Sequence, residues 1–112
     1  YSYISNIKID FNYEWGNANF QKTTENIIFR VIEETVTNSL RHGHATKIWI
    51  KCTSNNSSYI LSIHNNGKSE THIKPGYGIT QMRERLTIIN GTVEFDGKKG
   101  FTTVVKFPKV GV

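Results

Sequence analysis

The strongest constraint on the fold is the order in which two kinds of hydrophobic repeat follow one another. Apolar residues recur at every second position in stretches that we predict to be strands, namely TKIWIKCT (46–53), YILSIH (59–64), TVEF (92–95) and FTTVVKF (101–107). The polar turns SNNSS and DGKKG join these stretches in pairs, as in antiparallel hairpins. Ile7, Ile9 and Phe11 also alternate, which predicts another strand within residues 4–11, with one buried face.

Two other stretches repeat at helical spacing. Residues 20–41 carry an apolar residue at every fourth position from Ile28 to Leu40, and residues 79–90 are amphipathic. The predicted order is strand, long helix, two strands, loop, helix, two strands. Because helices are few and the strands form hairpins, we predict an α+β fold. It is a two-layer α/β sandwich in which helices pack on one face of a mixed, mostly antiparallel sheet.

Length and composition indicate one domain of a longer protein. The 112 residues and 37% hydrophobic content suffice for one two-layer core. The sequence has neither a signal peptide nor the ~18 consecutive apolar residues of a membrane span. The single cysteine, Cys52, excludes an internal disulfide and favours a reducing, cytoplasmic compartment. Since no initiating Met is present, we expect residues 1–112 to be a fragment, with any membrane attachment elsewhere in the protein.

The charge favours an anionic partner. A net charge of +5 suits nucleic acid, phosphorylated ligands or acidic protein surfaces. No run of Lys or Arg exceeds two residues, which argues against direct binding of nucleic acid.

The long predicted helix carries Glu34, Asn38, Arg41 and His42 within about two turns. At ~100° per residue they occupy a different arc from the apolar series, so we predict that this face points away from the sheet. An Asn oxygen suits Mg²⁺ when phosphates supply the negative charge, and a guanidinium pairs with phosphate oxygens. Glu34 is suited to ordering a metal-bound water. The alternative, from the helix alone, is a solvated polar face.

Two glycine segments give a second signal. His64-Asn65-Asn66-Gly67-Lys68 ends a predicted strand, and Gly76-Tyr77-Gly78-Ile79 opens a predicted helix. Glycine lets the backbone approach a ligand closely, and a helix that begins at Gly78 directs free N–H groups at an anion. The sequence contains neither a Walker A loop nor a GxGxxG after a first strand.

The ordered segments EETVTNSLRH, NNGK, GYGITQMRERL and KKGFTTVVKFP resemble the ATP-binding catalytic domain of bacterial sensor histidine kinases, whose Bergerat-type fold is shared with gyrase and MutL. They match, in order, the N box, two glycine boxes and the glycine-threonine segment. The resemblance covers Phe20 to Pro108. The third segment is most similar to the short-lid subgroup whose response regulators bind DNA through a helix-turn-helix.

The resemblance implies a role for each candidate residue. Asn38 is the Mg²⁺ ligand and, with Glu34 one turn earlier, forms the catalytic pair. The implied nucleotide-binding set is Asn38, Arg41, His42, Asn65, Gly67, Gly76, Tyr77, Gly78, Ile79 and Thr102. Within it, Gly67 is expected beside the adenine, Gly76 and Gly78 at the phosphate end of the lid, and the Thr102 hydroxyl near the adenine.

Asn65 departs from the family pattern, in which an Asp carboxylate accepts a hydrogen bond from the adenine amino group. An amide oxygen accepts the same bond without its charge-assisted part, worth about 1 kcal/mol. Ser69 also stands where a second Gly is common. We therefore expect lower affinity rather than lost function.

The implied activity uses ATP and Mg²⁺ and transfers the γ-phosphoryl group to a histidine on a dimerisation domain outside this chain, for relay to a response regulator. The chain's own histidines lack the helical context of a phosphoacceptor; they are His42, His44, His64 and His72. One alternative is a serine kinase of the anti-sigma-factor type, on the same fold. Another is a non-catalytic nucleotide-binding or docking module in which Asn65 marks decay.

Overall fold

The computed structural model describes residues 7–16, 18–41, 45–67, 77–97 and 100–109, with the backbone alone at 40–41 and 77–79. The elements in these residues are, in chain order, β1 (Lys8–Tyr13), α1 (Lys22–Arg41), β2 (Lys47–Ser54), β3 (Ser58–Asn65), α2 (Tyr77–Thr87), β4 (Thr92–Asp96) and β5 (Phe101–Pro108). The predicted order of strands and helices is confirmed. The second helix is shifted, because Asn90, at a φ of 55°, and the bond from Gly91 N to Leu86 O close it early.

The strands form one mixed sheet in the order β1-β2-β3-β5-β4. β1 runs parallel to β2, and the other neighbouring pairs are antiparallel. Both helices cover one face, since the alternate side chains of β2, β3 and β5 that point to that face are buried. The main apolar members of this core layer are Ile48, Ile50, Leu61, Ile63, Val105 and Phe107. The predicted α+β sandwich with a mostly antiparallel sheet is confirmed.

The edge strand β1 contradicts the prediction that one of its faces is buried. Ile9 and Phe11 stand beside Ile48 and Ile50 on the helix side of the sheet, yet their exposed fractions are 49% and 55%. The helices do not cover them because α1 packs mainly over β3 and α2 over β4. Alternation predicted the strand and its register correctly, but burial depends on what lies above the strand.

The buried face of α1 is also different from the predicted one. Val31 and Thr35 are buried, whereas Ile32 and Val36 are only half-buried. A strict four-residue repeat advances by about 400° and therefore drifts by about 40° at each step, so the series from Ile28 to residue 40 cannot remain on one face. The core face instead combines three- and four-residue steps through Thr24, Ile27, Ile28, Val31, Thr35 and Ser39.

One end of the core is aromatic. The Trp15 ring makes edge contacts with Phe20, Tyr59 and Phe107, at centroid distances of 5.4, 5.7 and 5.9 Å. Its indole Nε1 donates a hydrogen bond of 2.6 Å to Thr53 O. Trp15 thus buries a large ring with its polar atom satisfied, and it anchors the segment between β1 and α1 to the start of β3.

Candidate functional site

A buried polar chain joins the last turns of α1 to the end of β3. The Asn65 side chain, only 3% exposed, donates from Nδ2 to Ser39 Oγ at 2.8 Å. Ser39 Oγ in turn donates to Thr35 O at 2.9 Å. On its other side Asn65 Oδ1 accepts a 2.9 Å hydrogen bond from Gly67 N. The first glycine box is therefore tied to the N-box helix through a side chain that the sequence analysis did not single out, Ser39.

The neighbouring Asn66 has a structural role. Its Oδ1 accepts hydrogen bonds from Thr46 N and Lys47 N at 2.9 and 3.0 Å, and its Nδ2 donates to Thr46 Oγ1 at 2.9 Å. These bonds hold the residue that follows β3 against the start of β2. Of the two neighbouring amides, Asn65 is therefore the one that points into the layer between the sheet and the helices.

Gly100 brings the start of β5 close to the same point. Its φ is +71°, and an added Cβ would lie 2.1 Å from Asn65 O. Only glycine allows both this backbone conformation and this approach. The glycine-threonine segment is thus held against the first glycine box by a contact that a side chain would prevent.

The two threonines of that segment lie on opposite faces of the sheet. Thr102 pairs with His64, and its Oγ1 lies 2.7 Å from His64 Nδ1 on the face away from the helices. Thr103 pairs with Ile63, and both are buried on the helix face, where Asn65 also lies. Thr102 therefore does not lie on the sheet face that carries Asn65, whereas Thr103 does. The two-residue alternation with buried Val105 and Phe107 is the signal that identifies Thr103.

Two hydroxyl groups in this layer lack a hydrogen-bond partner among the described residues. They are Thr35 Oγ1 and Thr103 Oγ1, both buried. A buried hydroxyl without a partner costs free energy, roughly 1–3 kcal/mol, so such atoms mark places where water or a ligand completes the hydrogen bonding. Asn65 Oδ1 also keeps a second lone pair that can accept a hydrogen bond.

Glu34 and Asn38 follow one another by one turn on α1. Asn38 comes seven residues after buried Val31 and directly before buried Ser39, but its own side chain is exposed. Because Asn38 is exposed, the structure does not contradict the prediction that its side chain lies away from the packed core. Glu34 Oε1 accepts a 3.1 Å ion-paired hydrogen bond from Arg85 of α2, with both side chains about 30% exposed or less.

The remaining predicted residues are described in part or not at all. Arg41 is the last residue of α1 and Tyr77 the first of α2, so Gly78 and Ile79 lie in the first turn of α2, as predicted. The side chains of these residues are not described, and His42 and Gly76 lie outside the described residues. The predicted helix start at the second glycine box is confirmed to within one residue.

The donor set offers oxygen atoms of the kind that a hard cation takes. An amide oxygen at Asn38 and a carboxylate at Glu34, one turn apart, are oxygen ligands of the kind that Mg²⁺ takes beside phosphates. No cluster of three His, Cys, Asp or Glu side chains suited to an all-protein metal site occurs in the described part of the chain.

A separate open recess of about 610 Å³, lined by Asn26, Phe29, Arg30 and Glu33, lies on the opposite face of α1.

Among the described helices, none combines the length and the apolar character required to cross a bilayer.

Part of the chain is similar in sequence to known sensor proteins. The sensor protein VraS of Staphylococcus aureus is 32% identical over 74 residues, which are 63% of this chain and 21% of VraS. VraS of Staphylococcus saprophyticus is 34% identical over 74 residues, which are again 63% of this chain and 21% of VraS. The chain thus spans about a fifth of these curated relatives. No family model matches the sequence.

Solved structures agree on the fold. The histidine kinase domain of a blue-light activated kinase from Erythrobacter litoralis EL346 matches 96% of this chain and 56% of its own, with a TM-score of 0.79 and 14% identity. The histidine kinase AdeS of Acinetobacter baumannii matches 95% of this chain and 56% of its own, with a TM-score of 0.79 and 15% identity. The fold is that of histidine kinase catalytic domains, and the resemblance to them is confirmed.

Proposed function

We propose that this chain is the ATP-binding catalytic domain of a sensor histidine kinase, acting in the cytoplasm. Bound ATP and Mg²⁺ supply the phosphoryl group and the neutralising charge. The γ-phosphoryl group goes to a histidine on the protein's own dimerisation domain and then to a response regulator of the helix-turn-helix type. The sensor kinases among the relatives and the fold support the class of this proposal.

The observation that carries the proposal is the polar end of the core. Asn65 presents an oriented amide oxygen beside Gly67, and Thr103 presents on the same sheet face a buried hydroxyl that has no partner among the described residues. In this proposal Asn65 Oδ1 accepts from the adenine amino group, and Thr103, rather than Thr102, supplies the adenine-side hydroxyl. Their chemistry matches that of a purine edge.

The N-box residues serve the phosphate end. Asn38 would hold Mg²⁺ through its amide oxygen, and Glu34 would order a metal-bound water through its carboxylate. Arg85 holds Glu34 in place through the 3.1 Å ion pair between the two side chains. The phosphate contacts in this proposal come from Arg41, His42, Gly76 and the first turn of α2, which contains Tyr77, Gly78 and Ile79. Positioning and charge neutralisation supply most of the rate in such transfers.

Calorimetric titration with ATP and Mg²⁺ tests nucleotide binding. We expect Asn38→Ala to weaken binding at least about tenfold in Mg²⁺, because a metal ligand is lost, and to have little effect in EDTA. Asn26→Ala is the matched control, since Asn26 is an exposed amide on the other face of α1. Absence of binding by the wild type at millimolar ATP would contradict the proposal and support the docking alternative.

Phosphoryl transfer is tested in the whole protein that contains this chain. With radiolabelled ATP we expect an acid-labile phosphohistidine outside residues 1–112, lost in Asn38→Ala and retained in Asn26→Ala. An acid-stable phosphoserine on a separate partner would instead support the anti-sigma-factor type of kinase.

A further inference from the structure

The Asn65 amide has two chemically different ends. Its oxygen accepts hydrogen bonds, and its nitrogen donates them. Adenine offers an amino donor where guanine offers a carbonyl acceptor, so which end of the amide meets the base decides which purine is preferred. A carboxylate at this position has no such ambiguity, since both of its oxygens accept.

The partners of Asn65 fix which way the amide points. Gly67 N can only donate, so the atom 2.9 Å away from it must be the oxygen. Ser39 Oγ gives its own proton to Thr35 O, so toward Asn65 it acts as an acceptor and selects the nitrogen, at 2.8 Å. A flipped amide would place two donors against each other at Gly67. The two hydrogen bonds therefore lock one orientation.

We propose that Ser39 is a positioning residue that sets the nucleobase preference of the site. By holding the Asn65 nitrogen on the α1 side, it keeps the oxygen on the Gly67 side, where it accepts from the adenine amino group. Without the Ser39 oxygen the Asn65 nitrogen has no acceptor in a site where Asn65 is 3% exposed. One of the two hydrogen bonds that fix the amide is then lost, so turning its nitrogen toward an acceptor such as the guanine carbonyl becomes less unfavourable, although the Gly67 bond still opposes it. The inference rests on the proposed function, because it concerns adenine recognition by Asn65.

The test measures ATP and GTP affinity in four proteins: the wild type, Ser39→Ala, Asn65→Asp and the double variant. We expect Ser39→Ala to lower the ratio of ATP to GTP affinity by about five- to tenfold, the effect of one hydrogen bond. In the Asn65→Asp background the same change should leave that ratio within about twofold, because a symmetric acceptor has no orientation to lose. Thermal unfolding of each variant establishes that it is folded.

The outcomes separate the two proposals. An unchanged ratio in Ser39→Ala, or an equal fall in both backgrounds, overturns the role of Ser39 and leaves the proposed function intact. Binding of neither nucleotide by the wild type overturns the proposed function, and the inference with it.

A measurement without nucleotide tests whether Ser39 fixes the orientation of the Asn65 amide. Heteronuclear NMR follows the side-chain amide protons of Asn65 and, as a matched control, of Asn66, whose nitrogen donates to Thr46 Oγ1. In Ser39→Ala we expect exchange of the Asn65 protons with solvent to accelerate by about tenfold or more as the local hydrogen bond is lost. The Asn66 protons should not change. Unchanged protection of Asn65 would overturn the positioning role.

Discussion

The two ends of the β3–β5 pair bury opposite kinds of surface. At the start of β3, Trp15, Phe20, Tyr59 and Phe107 form an aromatic cluster whose buried indole N–H is satisfied. At its end, about 20 Å away at ~3.3 Å per residue, Asn65 shares the buried layer with two hydroxyl groups that lack a partner within the described part of the chain. One end has the composition of a completed core, and the other keeps buried hydrogen-bonding capacity. In the proposed function that capacity serves the nucleotide.

The largest expected effect falls at the aromatic end. Trp15→Ala removes the ring at the centre of the cluster, and we expect the free energy of unfolding to fall by about 3–5 kcal/mol. Chemical denaturation measures this loss. Phe29→Ala is the control, because Phe29 is 63% exposed and should change stability by less than about 0.5 kcal/mol. A loss below 1 kcal/mol for Trp15→Ala would mean that the cluster does not hold this end together.

The second largest effect on stability is expected at Gly100, and it is compared with Gly16, which has a similar positive φ. Gly100→Ala adds a Cβ against the Asn65 carbonyl in a left-handed conformation, and we expect a loss of about 2–4 kcal/mol. Gly16→Ala shares the positive φ, but its Cβ meets nothing within 4 Å, so only about 1 kcal/mol is at stake. The difference between the two unfolding free energies isolates the close approach. Equal losses would show that the approach of β5 to β3 at Asn65 is not tight.

A smaller effect concerns Cys52, buried on β2 between the two ends. Burial raises the pKa of its thiol from 9.0 to about 11. Because the folded protein holds the proton more tightly, the stability that depends on the neutral thiol is complete below pH 9 and is lost as the pH rises to 11. The free energy of unfolding should fall by up to about 1.4 kcal/mol per pH unit in that window. Cys52→Ala should show a shallower slope; identical slopes would contradict the buried, neutral thiol.

The smallest effect on stability is expected for a substitution of Thr103 at the polar end. The same substitution should weaken the binding of ATP. Thr103→Val replaces a buried hydroxyl without a partner by a methyl group of similar shape. We expect the free energy of unfolding to change by less than about 1 kcal/mol, or to rise. Affinity for ATP should fall several-fold in titration, whereas Thr102→Val, on the other face, should leave it unchanged. The reverse order of the two effects would return the adenine-side role to Thr102.

Sequence patterns predicted most of the fold because strands and helices impose different periods. The pairs of alternating stretches became β2–β3 and β4–β5, and the long helical repeat became α1. The order of the motifs indicated the N box and both glycine boxes, including Asn65. The sequence missed Ser39, since a serine one residue after Asn38 is not distinctive until its partner is known.

What the sequence by itself determined was the set of elements, the antiparallel pairing and the segments that carry the site, because these follow from local periodicity and chain order. The tertiary structure decided which faces are covered. It left Ile9 and Phe11 exposed on an edge strand and buried Val31 and Thr35 of α1 rather than Ile32 and Val36. It also put Thr103, rather than Thr102, on the sheet face that carries Asn65. The physical reason is that burial and hydrogen-bond satisfaction depend on neighbours distant in sequence, which no local repeat encodes.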